Sequence, residues 1–136
     1  MVLVKDNHWR MEWHRAGKRL PARWNLEEIR RRIPQGVKIE VEVNNLKQLK
    51  RVLAMDVDII MFDNMRLSVL KKAIRMVEED RVKKGIRTPA IEVSGKINLR
   101  SIKRISRLGV DRISVGEITH SAKALDMSLE AVGLIT

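Results

Sequence analysis

Asp58-Ile59-Ile60-Met61-Phe62-Asp63 is an almost wholly apolar run that closes on an acid. Strands buried on both faces read this way, because neither face then needs polar side chains. Upstream, Val37 to Val43 alternates, with Val37, Ile39, Val41 and Val43 on one face and Lys38, Glu40 and Glu42 on the other. Asn45 between the two strands opens a helix that carries Leu46, Leu49, Val52 and Leu53 at helical spacing. Downstream, Leu67, Leu70, Ile74 and Val77 mark a helix ending by Gly85, and Ala90-Ile91-Glu92-Val93 is the next strand, followed by Ser94-Gly95. Asn98 caps a helix with Leu99, Ile102, Ile105 and Leu108, stopped at Gly109. Arg112-Ile113-Ser114-Val115 is a strand closing on Gly116.

Toward the N-terminus, Asn25 caps a helix from Leu26 to about Ile33, with Glu27 and Glu28 in its first turn and Pro34-Gln35-Gly36 ending it. Val2-Leu3-Val4 is a short strand, and the basic Trp9–Asn25 stretch reads as a loop or short helical insertion. Beyond Gly116 a turn around Thr119-His120-Ser121 precedes a short helical segment from Leu125 to Val132. The pattern is α/β: five strands, most followed by a helix. Connections of that length require parallel pairing with right-handed crossovers. An open doubly wound sheet and part of a barrel both satisfy it. In either, chemistry belongs at the C-terminal strand ends, which carry Lys5, Glu42, Asp63, Ser94-Gly95 and Gly116.

With 136 residues the chain is one domain, 1–136, whereas a complete eight-unit barrel takes about 250 residues. It has no cysteine, which excludes disulfides, a thiolate nucleophile and Cys-ligated metal, and fits a cytoplasmic protein. No apolar run approaches the roughly 20 residues that span a membrane, and Lys5-Asp6 comes too early for a signal peptide. The net charge of +11 favours anionic partners, from phosphorylated or carboxylated small molecules to nucleic acid. Aromatic residues are few, Trp9, Trp13, Trp24 and Phe62, which argues against a nucleic-acid module that stacks bases.

Val4-Lys5-Asp6-Asn7-His8, Ile39-Glu40-Val41-Glu42-Val43, Ile60-Met61-Phe62-Asp63-Asn64-Met65 and Gly109–Gly116, with Leu125-Asp126-Met127-Ser128-Leu129, follow one another as motifs do in a known family. The chain resembles nicotinate-nucleotide pyrophosphorylase, the carboxylating quinolinate phosphoribosyltransferase, over nearly its whole length. The resemblance implies a partial TIM-like barrel: about five βα units of a six-stranded incomplete barrel, with the N-terminal domain and first barrel strand absent. It implies a reaction that joins quinolinate to phosphoribosyl pyrophosphate, with magnesium, and gives nicotinate mononucleotide, pyrophosphate and carbon dioxide for NAD synthesis. It also implies a homo-oligomer, a dimer in the family, or association with a missing N-terminal portion.

By the same resemblance Lys5 is an active-site lysine, and Glu42 and Asp63 are the acidic pair near the ribose and its magnesium. Ser94, Gly95, Lys96, Ser114, Gly116, His120 and Ser121 then form the 5′-phosphate site. Lys96 stands where the family commonly has a second glycine, and the 9–25 stretch is longer and more basic than usual. Glu40 is expected in a supporting ion pair, Asp6 and Asn64 in bonds to neighbouring backbone, His8 as a structural or supporting group, and Met61 and Phe62 in packing. The family's Arg-Lys and His-Arg motifs, which hold the quinolinate carboxylates, have no counterpart in this sequence. The expectation is therefore half an active site, and no turnover by these residues alone. Rival readings are a noncatalytic phosphate-binding remnant or partner subunit, and a paralogous phosphoribosyltransferase associated with molybdenum transport.

Overall fold

A computed structural model of the chain describes residues 1–5, 8 and 26–120. The expectations for Asp6, for the Trp9–Asn25 stretch, for Ser121 and for the Leu125–Val132 segment fall outside these residues. The strands are β1 (Val2–Val4), β2 (Ile39–Val43), β3 (Ile59–Asp63), β4 (Ala90–Ser94) and β5 (Arg112–Ile113). The helices are α1 (Leu26–Arg32), α2 (Leu46–Val52), α3 (Leu67–Lys84), α4 (Leu99–Ser106) and α5 (Glu117–His120).

All pairings are parallel, and the sheet runs β1-β2-β3-β4-β5. This order resolves the choice between open sheet and barrel. Right-handed crossovers between successive neighbours put every intervening helix on one face. A doubly wound sheet needs a reversal of strand order to cover its second face, and none occurs among the described strands. The architecture is a partial α/β barrel with its helices outside.

The core lies between strands and helices. Val41, Val43, Ile60, Phe62, Ile91 and Val93 point outward and pack with Leu49, Val52, Leu70, Ala73, Val77 and Ile105 of the helices. The helix starts follow the expected caps. Asn45 Oδ1 accepts from the Gln48 amide at 2.9 Å, and Asn98 and Ser101 form a reciprocal capping box. Two strands are shorter than their sequence pattern. Val37 is held in a turn by the Pro34 carbonyl at 3.1 Å, so β2 begins at Ile39. β5 covers Arg112–Ile113 alone, although the Ser114 amide still reaches the Val93 carbonyl at 2.9 Å.

Candidate active site

The strand register stacks the inward-facing residues in layers. One layer holds Leu3, Glu40, Ile59 and Ala90, and the next holds Glu42, Met61, Glu92 and Arg112. Above them Asp63 pairs with Ser94. Lys5 follows Val4, the partner of Val41, and so reaches the level of Glu42 from the neighbouring strand. The inner face is thus acidic where the outer face is aliphatic. By register Lys5, Glu42 and Asp63 lie toward its upper end, on or just beyond three successive strands.

Phe62 is fully buried in the outer core, the packing role expected of it, whereas Met61 lies on the inner face in register with Glu42 and Glu92. Glu40 departs from expectation. Its side chain is completely buried, and neither carboxylate oxygen has a hydrogen-bond partner among the described residues, so the expected ion pair is not made there. Arg112 turns instead to Glu92, at 3.8 Å, and the Ser114 hydroxyl donates to the same carboxylate at 2.6 Å. Burial, Glu92 and Glu42 push the Glu40 carboxyl up, against an opposing pull from Arg112.

The sequence motifs by themselves mark no role for Glu92 and Arg112. Their signal was a charged residue within an otherwise apolar strand, Ile91-Glu92-Val93, in register with Glu42 two strands away through Met61. Ser114, one of the residues expected around the phosphate, donates its hydroxyl to Glu92.

The loops above the strands are tightly built. Gly95 has φ +86°, and a Cβ there would lie 2.6 Å from the Asn64 amide nitrogen and 2.7 Å from Asp63 Oδ1. Only glycine lets this turn lie so close to the Asp63 carboxylate. The Asn64 amide donates to the Ser94 carbonyl at 3.0 Å, which ties the β3 and β4 ends together as the expected backbone bond. Lys96 follows at φ 49°, its side chain exposed. The Gly116 carbonyl accepts from both the amide and the hydroxyl of Thr119, each at 2.9 Å. His120 ends α5. His8 is a structural partner, its Nδ1 accepting from the Lys5 amide at 2.9 Å.

No group of three or more His, Cys, Asp or Glu side chains among the described residues is placed to hold a metal by itself. Glu42 and Asp63 are two carboxylate donors at the mouth of the inner face.

Comparison with known proteins bears on this geometry. The family described as quinolinate phosphoribosyl transferase, C-terminal domain, matches residues 1–130. A probable nicotinate-nucleotide pyrophosphorylase (carboxylating) of Methanocaldococcus jannaschii is 38% identical over 135 residues, 96% of this chain and 43% of that protein. Its counterpart in Bacillus subtilis is 33% identical, over 95% of this chain and 39% of that protein. Among solved structures, NadC from Streptococcus pyogenes superposes with a TM-score of 0.67 at 32% identity, covering 96% of this chain and 40% of the other. The nicotinate-nucleotide pyrophosphorylase of Ehrlichia chaffeensis gives 0.65 at 34% identity, covering 88% and 38%. The chain therefore spans about two fifths of the length of the relatives it matches.

Proposed function

The chain belongs to the quinolinate phosphoribosyl transferase family through its C-terminal domain, and on that premise we propose that residues 1–136 supply the ribose-phosphate half of a carboxylating nicotinate-nucleotide pyrophosphorylase site. The reaction class is pentosyl transfer: the bond from the anomeric carbon to pyrophosphate breaks and a bond to the quinolinate nitrogen forms. The observation that carries the reading is the placement of Glu42 and Asp63 on adjacent strands toward one end of the sheet, with the Gly95 turn packed on Asp63.

Positive charge develops at the anomeric carbon as pyrophosphate departs, and fixed carboxylates facing it lower that barrier. Glu42 and Asp63 are placed to do this while binding ribose hydroxyls or the water shell of magnesium. Magnesium, when bound with the donor, neutralises phosphate charge. Lys5, level with Glu42, supplies a cation for pyrophosphate or for a quinolinate carboxylate. The 5′-phosphate falls to the Ser94-Gly95-Lys96 turn and to the chain around Ser114, Gly116, His120 and Ser121. Close backbone approach at Gly95 and the Lys96 charge favour a dianion there.

Association with a second copy, or with the remainder of such an enzyme, belongs to the same reading. One observation supports it: the outer edge of β1 has no strand partner among the described residues. A cytoplasmic location is supported by the absence of cysteine. No helix among the described residues is long and apolar enough to cross a membrane.

Calorimetric titration with phosphoribosyl pyrophosphate tests the proposal. Saturable binding that requires magnesium and is lost in Asp63→Asn is the expected result, and binding indifferent to both overturns it. Pyrophosphate release from donor and quinolinate is expected only when further cations for quinolinate are supplied. Release by these 136 residues alone, abolished by Asp63→Asn, would show that they suffice.

A further inference from the structure

Between the β3–α3 and β4–α4 loops the helix layer parts around a cavity of about 190 Å³. Its floor is apolar, formed by Leu70, Val93, Ile97 and Ile105. Val93 faces the helices, opposite to its neighbour Glu92, so the cavity lies on the other side of the sheet from the acidic inner face. Neither Glu42 nor Asp63 lines it, and no carboxylate does. The remaining lining includes Asn64, Ser101, Lys96 and Arg104.

Charge points to the ligand. Arg100, Lys103 and Arg104 recur at helical spacing along α4 and Arg107 follows at its C-cap, and no acid occurs between Gly95 and Val110. On α3, by contrast, Arg81 pairs with Glu78 at 2.6 Å and Lys84 with Asp80 at 2.7 Å. Neither Lys96 nor Arg104 has an ion-pair partner among the described residues. Lys96 is already assigned to the 5′-phosphate, so Arg104 is the cleft's own cation, and beside the apolar floor it suits an anionic head on an apolar body. The volume is below the roughly 300 Å³ at which drug-sized sites begin, so the ligand is small.

The cavity wall also touches the site already described. Asn64 and Lys96 hold left-handed backbone at φ 53° and 49°, a conformation uncommon outside glycine that gathers at ligand clamps. Gly95, between Ser94 and Lys96 in the same wall, is the residue packed against Asp63. A ligand that moves this wall moves the surroundings of Asp63.

We propose that the cleft between α3 and α4 binds a small carboxylate with an apolar body, and that its occupancy is transmitted to Asp63 through the Gly95–Asn64 contact. The second half rests on the reading of Asp63 as part of the ribose-phosphate site; the first stands without it.

Benzoate is the probe, titrated into the ¹⁵N-labelled chain and followed through the amide resonances. Saturable shifts are expected at Asn64, Ile97 and Ser101, with Asp63 following at the same midpoint. At the Ile97 and Ser101 resonances inorganic phosphate, which lacks the apolar body, and benzyl alcohol, which lacks the charge, are each expected to bind at least tenfold more weakly than benzoate; phosphate shifts confined to Ser94–Lys96 belong to the ribose-phosphate site. Arg104→Gln should weaken benzoate at least fivefold, and Leu67→Trp should block the cleft. If Leu67→Trp does not fold, the exposed Arg104→Gln carries the test. Shifts centred on Lys5 and Glu42, no saturable shift in the millimolar range, or full affinity in Arg104→Gln each overturn the site. Shifts in the cleft that leave Asp63 unmoved overturn the transmission alone. Donor binding is measured in a separate titration, so failure of the ribose-phosphate reading is read independently.

Discussion

The two ends of the barrel handle their carboxylates in opposite ways. At the N-terminal strand ends the same clamp is built twice. Asp58 Oδ2 accepts from the Ile39 amide at 2.7 Å and from Arg30 at 2.8 Å; Asp111 Oδ2 accepts from the Ile91 amide at 2.7 Å and from Arg81 at 3.0 Å. Each acid leads into a strand, takes an amide from the start of the adjacent strand, and is neutralised by an arginine from the helix before that neighbour. Burial pushes both carboxyls up, but the amide bond and the arginine outweigh it and hold them below the ordinary carboxylate value. At the inner face and the upper end, Glu40 is buried without a hydrogen-bond partner and Asp63 has no ion pair among the described residues. Acids satisfied at one end secure the strands. Asp63, which makes no such bond among the described residues, is the acid that the proposed ribose-phosphate reading needs.

Substitutions can break or sharpen this contrast. The largest effect is expected from Asp63→Asn, which should weaken magnesium-dependent donor binding on the order of 100-fold, the weight of one charged contact in a partly desolvated site. Its unfolding free energy should stay within about 0.5 kcal/mol of the parent in urea.

The clamps should behave inversely. Asp58→Ala is expected to cost about 2 kcal/mol and Asp111→Ala about 1 kcal/mol, the latter smaller because the Asp111 carboxylate is itself half-exposed and screened by solvent. Donor binding per folded molecule should be unchanged. Because both folded carboxyls lie below their unfolded value, the stability they contribute is complete above about pH 4 and is lost as pH falls through the lowered folded values. Acid titration of the two alanine variants should therefore show a shallower decline below that pH than the parent chain.

Glu40 carries the opposite sign. Its folded carboxyl is raised by burial and by Glu92 and Glu42 against the pull of Arg112, so its contribution is complete below the ordinary glutamate range and is lost as pH rises through the raised value. Glu40→Gln should raise stability at neutral pH by about 1 kcal/mol and flatten that loss, measured by urea unfolding across the range. A drop in stability would show that Glu40 has a cationic partner after all. The smallest effect is expected at Lys96→Gly, a gain of about 0.5 kcal/mol. Relief of a left-handed non-glycine residue there slightly exceeds the added chain entropy of glycine.

Local chemistry made much of this fold legible in advance. Asn45 and Asn98 announced their helices because a short side chain that accepts from the amides two or three residues on works the same in any tertiary setting. The alternation Ile39-Glu40-Val41-Glu42-Val43 placed both acids on one face because strand geometry has a period of two. Asp58 and Asp111 were harder to read. Each clamp joins residues on three elements, and nothing adjacent in the chain marks the acid as a partner of a distant arginine.

By itself, then, the sequence determined that this protein is a series of parallel βα units with Lys5, Glu42, Asp63 and Gly95 at strand ends, since periodicity, capping and turn chemistry act over a few residues. Only the tertiary structure decided that the strands follow one another as a barrel does, that Glu40 is sealed from solvent, and that Glu92 answers to Arg112 and Ser114. Alternation says which side chains share a face; what covers that face depends on the register between strands far apart in the chain.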